Sequence, residues 1–187
     1  MNKILAKSNP EKELTEHTVE VIEYAEKEIN YLRSLGLDIS ADMEQAIKLC
    51  CFAHDLGKVS KVFQESLSGS NKYIPHNLLS LAFLNSIFNT INFPTNLKNK
   101  IIYAVGFHHK NFLELNDFIN GSKRAGINGL EDEFIDMEDR LSMLVPMQQL
   151  FRDYFKADVQ FQIDYSIIDK LKDIIIHLDP FDKELIY

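Results

Sequence analysis

Apolar residues in this chain recur at three- and four-residue steps rather than alternating, which predicts helices almost throughout. Thr18, Val21, Ile22, Ala25, Ile29 and Leu32 form the first such stripe and predict a helix over residues 15–35, capped by Thr15 and stopped by Gly36. A second helix begins after Ser40 and turns Ala46, Ile47, Cys50 and Ala53-His54 to one side. A short helix over residues 60–67 follows, with Phe63 as core and Gln64 as a polar support, and Ser68-Gly69-Ser70-Asn71 reads as an exposed turn. Residues 77–88 are apolar nearly all round, which predicts one buried central helix with His76 at its start. After the break at Asn92-Phe93-Pro94, Thr95 caps a helix carrying Leu97, Ile101, Ala104, Val105 and His108 on one face. Residues 116–131 hold Gly121, Gly126 and Gly129 in a polar context and read as a long loop. A helical block over residues 133–154 carries Asp139, with Ile135, Leu141, Leu144 and Leu150 as expected core. Residues 166–178 read as an amphipathic helix in which His177 is structural or solvent-exposed.

Composition narrows the class. The 187 residues, 45% of them hydrophobic, can bury a sizeable core, and 7 Gly and 5 Pro without an internal repeat predict a single all-α domain over residues 1–187. Met1-Asn2-Lys3-Ile4-Leu5-Ala6 is too short an apolar run for a signal peptide, and no later stretch has the roughly 20 apolar residues of a membrane span. A soluble, cytoplasmic protein with no membrane partner is expected. Cys50 and Cys51 are adjacent on a helical pattern, a poor geometry for a disulfide, and are expected as reduced core residues. The net charge of −8 cuts against a plain nucleic-acid binder, because counterion release needs a cationic surface. It does not exclude a nuclease, since bound metals or a basic partner can supply the missing positive charge. Lys61, Lys72, Lys110, Lys123 and Arg124 lie near the candidate motifs and read as solvated charges; Lys58 does not.

The candidate chemistry gathers at His54-Asp55-Leu56-Gly57-Lys58. An imidazole followed by a carboxylate offers a neutral nitrogen and an anionic oxygen within one turn, which suits divalent transition metals. Gly57 is expected to let the backbone leave the helix in a conformation that a Cβ resists, and Lys58 to set a cation beside the site. Taken alone, the stretch reads equally well as a histidine closing a helix beside ordinary surface charges. His17, His76 and the doublet His108-His109 change that balance, since each lies on or beside an amphipathic segment. Asp139, within Met137-Glu138-Asp139-Arg140-Leu141-Ser142, is a further candidate carboxylate. Singly, His17 reads as a surface histidine at a helix start, His108 as a satisfied core histidine and Asp139 as a surface carboxylate; together they run His, His-Asp, His, His-His, Asp.

That order resembles the HD-domain metal-dependent phosphohydrolase superfamily over residues 14–142, with a C-terminal helical segment over residues 164–187 beyond it. His54-Asp55-Leu56-Gly57-Lys58 followed by Phe63-Gln64, Pro75-His76-Asn77 and Phe107-His108-His109 is most similar to the HD nuclease of type I CRISPR interference. The resemblance implies an HD-domain helical bundle around one or two divalent transition metals: manganese, iron, cobalt or nickel, with magnesium possible. It implies Asp55 as the bridge between two ions, one held also by His17, His54 and Asp139 and the other by His76, His108 and His109. Asp55 and Lys58 are the implied catalytic residues, Lys58 stabilising charge on the phosphate. The implied activity is endonucleolytic hydrolysis of single-stranded DNA. The implied partners are a helicase subunit or fused helicase domain and, through it, a CRISPR RNA-guided surveillance complex. Nothing in the chain resembles a helicase, so a stand-alone nuclease subunit or an excised domain is expected. An HD-type nucleotide phosphohydrolase or cyclic-nucleotide phosphodiesterase would use the same ligands and is the alternative. A non-catalytic module ranks last, because no ligand of the pattern is missing.

Overall fold

The stripe that begins at Leu14 folds as α1, Leu14–Ser34, and buries Leu14, Thr18, Ile22 and Ile29. This is a computed structural model, and it describes residues 3–71, 75–109 and 126–167, with the side chains of the last stretch described from Leu130 onward. Helix α1 starts one residue before the expected cap. Glu13, not Thr15, is the capping position, and it makes no side-chain cap bond. The reason lies upstream, where β1 (Leu5–Ser8) and β2 (Glu11–Glu13) form an antiparallel hairpin that the sequence reading missed. The Leu14 N–H donates to the Ile4 carbonyl at 2.8 Å, so the chain enters the helix with one of its first amides already satisfied. The other end follows expectation: Gly36 adopts φ +86 and closes the helix.

Helix α2, Ala41–Ala53, is capped by Ser40, whose side chain accepts from the Met43 N–H. Its apolar face delivers Phe52 to an aromatic cluster with Phe151, Phe155 and Phe161 at ring distances of 5.2, 5.9 and 6.4 Å. Cys50 and Cys51 are free thiols packed against the core. Burial, reinforced by Cys51, pushes the Cys50 thiol up to about 12. A tight 3-10 turn, Leu56–Val59, follows α2 and leads into α3, Lys61–Ser66.

The apolar run expected as one helix forms two, α4 (His76–Leu81) and α5 (Leu84–Thr90). The amides of Ala82 and Phe83 bond three residues back, to Leu79 and Ser80, and the Ala82 carbonyl accepts from Asp164 instead of continuing a helix. The run is buried as expected, since Leu78, Leu79, Leu81, Ala82, Phe83 and Leu84 all lie in the core. Helix α6, Thr95–Phe107, starts from Pro94, whose carbonyl accepts from Leu97 and Lys98; Thr95 is inside the helix and not its cap.

Helix α7, Gly126–Asp139, overturns part of the expected loop, because residues 126–131 are helical. It buries Leu130, Phe134 and Met137, a four- then three-residue step, and this turns Ile135 outward at 59% exposure, against the core role expected for it. The expected block over residues 133–154 is also broken. A second 3-10 turn, Leu141–Leu144, and Pro146 in the first turn of α8, Val145–Phe155, end one helix and start another. Leu144 is core as expected, while Leu141 and Leu150 are partly buried. The fold is all-α apart from the hairpin, as expected of the bundle. Helix α1 packs on α2, α2 on α6, and α4 lies between α6 and the Leu56–Val59 turn. Lys72, Lys110, Lys123, Arg124, His177 and most of the expected C-terminal helix lie outside the described residues. No helix among the described residues is long and apolar enough to cross a membrane.

Gly57 is needed for space, not for a left-handed backbone, which corrects the expectation from sequence. Among the described glycines, positive φ belongs to Gly36 and Gly69. A Cβ on Gly57 would sit 2.1 Å from the His76 carbonyl oxygen and 2.7 Å from Leu79 Cβ, whereas one on Gly36 would meet nothing within 4 Å. Gly57→Ala is therefore expected to cost about 1–3 kcal/mol or more through overpacking against backbone, and Gly36→Ala about 1 kcal/mol through its positive φ alone. Urea unfolding midpoints check this; a Gly57→Ala midpoint equal to wild type would mean that α4 does not sit on the turn.

Candidate metal centre

The end of α2 builds the centre. His54 is the C-cap residue, and its Nδ1–H donates to the Cys51 carbonyl at 2.7 Å, which fixes the ring and leaves Nε2 as the free nitrogen. The following turn buries the Asp55 side chain to 1% exposure. His17 comes from the first turns of α1, His76 opens α4, and His108 caps α6 with His109 directly after it. His108 repeats the arrangement of His54, donating from Nδ1 to the Val105 carbonyl at 2.8 Å. Two ligand-bearing helix ends thus use the same backbone device to aim a nitrogen inward.

The two oxygens of Asp55 face different neighbours. Oδ2 lies 3.1 Å from His17 Nε2, 3.2 Å from His54 Nε2 and 2.6 Å from Lys58 Nζ. Oδ1 lies 3.1 Å from His76 Nε2 and 3.7 Å from His108 Nε2. His17, His54 and Asp55 form one group whose ligand atoms lie within 4.8 Å of one another, and Asp55, His76, His108 and His109 form a second. These are the two sets expected from the sequence, without Asp139. Asp139 ends α7, is exposed and lies outside both groups. Its charge instead helps to raise the Tyr165 hydroxyl above its ordinary range, after burial and the bond to Glu138.

The electrostatics of this cluster call for a cation. Burial opposes ionisation of Asp55, yet the surrounding rings of His108, His17, His54 and His76 together hold its carboxyl well below the usual carboxylate range. Burial lowers His76, although Asp55 opposes the shift. Burial, then the neighbouring His108 and His76, lowers His109 to about 4. Those two imidazoles are neutral near pH 7, the form in which histidine ligates metal. Asp55 Oδ1 and Oδ2, His76 Nε2 and His108 Nε2 are buried, and the close contacts they make with one another, and Oδ2 with Lys58, lack hydrogen-bond geometry. Neutral nitrogens, an anionic two-oxygen bridge and buried atoms without well-directed hydrogen bonds fit a divalent metal.

Residues beyond the ligands lock this arrangement. Ser80 Oγ accepts from the Gly57 N–H at 2.8 Å and reaches the carbonyls of His54 and His76 at 2.7 and 2.9 Å, so one buried hydroxyl ties the turn to both ligand-bearing helices. Gln64 donates to the carbonyls of Leu5 and Lys58 at 2.9 and 2.8 Å, and it accepts from the Leu5 N–H at 3.2 Å, the support expected of it. Asn77 Nδ2 donates to the Gly106 carbonyl, pinning α4 to the end of α6 just before His108. Phe63 is not core as expected. Val62 takes that place in α3, and Phe63 is a half-buried wall whose ring packs edge-on against His76 at 5.1 Å and lies 5.3 Å from Lys58 Nζ. Ser80 went unnoticed in the sequence because it sits inside the apolar run, where its only signal was being polar at a buried helical position. Ser80→Ala is expected to weaken metal binding by about 10–100-fold while the helical circular dichroism is retained. Calorimetric metal titration measures this, and unchanged affinity would show that Ser80 does not hold the ligands in place.

The family profile described as Cas3, HD domain matches residues 6–163, a span that includes both groups of ligands. Comparison with curated proteins and with solved structures gives no match. The chain belongs to the Cas3 HD-domain family, metal-dependent nucleases of CRISPR defence.

Proposed function

We propose that this chain is an endonuclease that hydrolyses phosphodiester bonds of single-stranded DNA and receives its strand from a helicase in type I CRISPR interference. The observation that carries the reading is the buried Asp55 carboxylate, with His17 and His54 beside one oxygen and His76 and His108 beside the other. In this reading His17, His54 and Asp55 hold one divalent ion, and Asp55, His76, His108 and His109 hold a second. Asp139 is given no part in either set. The nitrogen-rich donors favour manganese, iron, cobalt or nickel over magnesium. Bound there, such ions polarise phosphate oxygens and acidify bound water. The chain's own residues hold this chemistry in position. Asp55 keeps its charge in a buried setting, His54 and His108 are fixed by backbone carbonyls, and Phe63 screens His76 from solvent. Lys58 is the buried cation next to the reacting region, placed to balance negative charge that grows on the phosphate.

The net charge of −8 favours a smaller substrate, so a nucleotide phosphohydrolase or cyclic-nucleotide phosphodiesterase is the second reading. A circular single-stranded DNA separates the two, because a circle offers no end to an exonuclease or a small-ester phosphatase. With manganese or nickel the circle is expected to be linearised and then shortened, duplex DNA to resist, and cleavage to fall steeply with salt, since few cations hold the backbone. An intact circle with rapid turnover of a nucleoside phosphate or cyclic nucleotide would give the site to the second reading. Asp55→Ala is expected to lose metal and to lower hydrolysis by at least about a hundredfold. Metal content and activity equal to wild type would remove the site assignment altogether.

A further inference from the structure

Lys58 stands in an unusual place for a residue that acts on substrate. Its ammonium nitrogen lies 2.6 Å from Asp55 Oδ2, the oxygen that His17 and His54 also approach. The closest approach of Lys58 to Asp55 is at Oδ2, whereas the closest approaches of His76 and His108 are at Oδ1. The two groups are therefore unequal before any metal arrives, because the ammonium stands in contact with the oxygen nearest His17 and His54. A lysine has no acceptor and cannot ligate while charged, so it competes with a metal for that oxygen. Lys58 is also buried, and an ammonium and a divalent ion cannot share one carboxylate oxygen at contact distance without strong mutual repulsion. The ammonium already lies over the Phe63 ring, 5.3 Å from its centroid, and this face can keep holding the cation as it moves off Oδ2.

We propose that Lys58 is the internal counter-ion of Asp55 in the metal-free protein, and that it makes the two metal positions load in order. This rests on the reading of the two groups as metal sites. The His76, His108 and His109 position fills first through Oδ1. The His17 and His54 position fills second and more weakly, because Lys58 must first move off Oδ2. The same displacement frees the ammonium for an anionic phosphate, so Lys58 faces substrate only when both positions are filled.

Calorimetric titration with manganese and with cobalt, together with thermal melts in chelator and at metal saturation, tests this on wild type, Lys58→Met and Lys58→Arg. Lys58→Met is expected to melt below wild type in chelator, where Asp55 has lost its counter-ion, and to approach wild type at saturation. Its weaker binding class should tighten by a factor of about 5–150, the range usual for coupled sites, while the stronger class stays unchanged. Lys58→Arg, which keeps the charge, should keep the unequal loading. A wild type that binds one ion and a Lys58→Met that binds two count in favour, as does a Lys58→Met that folds only with metal present. The proposal is overturned if Lys58→Met binds its weaker ion no tighter than wild type, if its melting deficit persists at saturation, or if it stays unfolded with metal. Absence of metal binding by wild type would instead remove the metal-site reading itself, so the two failures are distinguishable.

Discussion

Everything in the centre answers to one buried charge. Asp55 is taken out of water at the end of a core helix, and a carboxylate in that position is costly unless positive charge is brought to it. Two kinds of group meet that demand in the structure, an ammonium on Oδ2 and imidazoles around both oxygens, and the imidazoles are grouped so that they could hold divalent ions as well. A protein core normally satisfies its buried polar atoms internally. Here two carboxylate oxygens and two ring nitrogens lack well-directed hydrogen bonds, although Lys58 stands 2.6 Å from one of the oxygens. Such atoms inside a rigid shell describe a site built for something that the chain does not itself supply.

The shell is rigid because short-range devices fix each ligand. Ser80 fastens three backbone segments at one point, and Gly57 lets α4 approach the turn more closely than any side chain would permit. Asn77 carries the same constraint on to α6. Ligands delivered by α1, α2, α4 and α6 thus converge although they are far apart in sequence. Metal sites need positional accuracy that loops seldom give, and helix ends with fixed rings provide it.

Charge bears on the proposed delivery of the strand by a helicase. A net charge of −8 provides little to hold a polyanion, while the proposed chemistry draws its positive charge from inside, from Lys58 and from ions the centre could hold. A domain of this kind suits a strand delivered to it by another protein better than one it must capture by itself.

The candidate ligands other than Asp139 were legible in the sequence because a histidine-aspartate pair and a histidine doublet at the ends of amphipathic helices keep their meaning without coordinates, and the fold brings them together. So were the start of α2 after Ser40, the Gly36 stop and the support by Gln64, since each depends on neighbours close in the chain or on a motif. Where choices depended on distant residues, the sequence was silent or misleading. The hairpin, not Thr15, prepares α1; Asp164 diverts the Ala82 carbonyl and splits the apolar run; and the stripe of Leu130, Phe134 and Met137 turns Ile135 outward. Gly57 was recognised as necessary but for the wrong reason, because the carbonyl of His76 that fills its missing Cβ position belongs to another helix. Residue type and spacing determined which groups could bind metal. Only the packing of α4 and α6 onto the turn decided which oxygen of Asp55 each nitrogen meets, because that is settled by contacts between segments that the linear chain keeps apart.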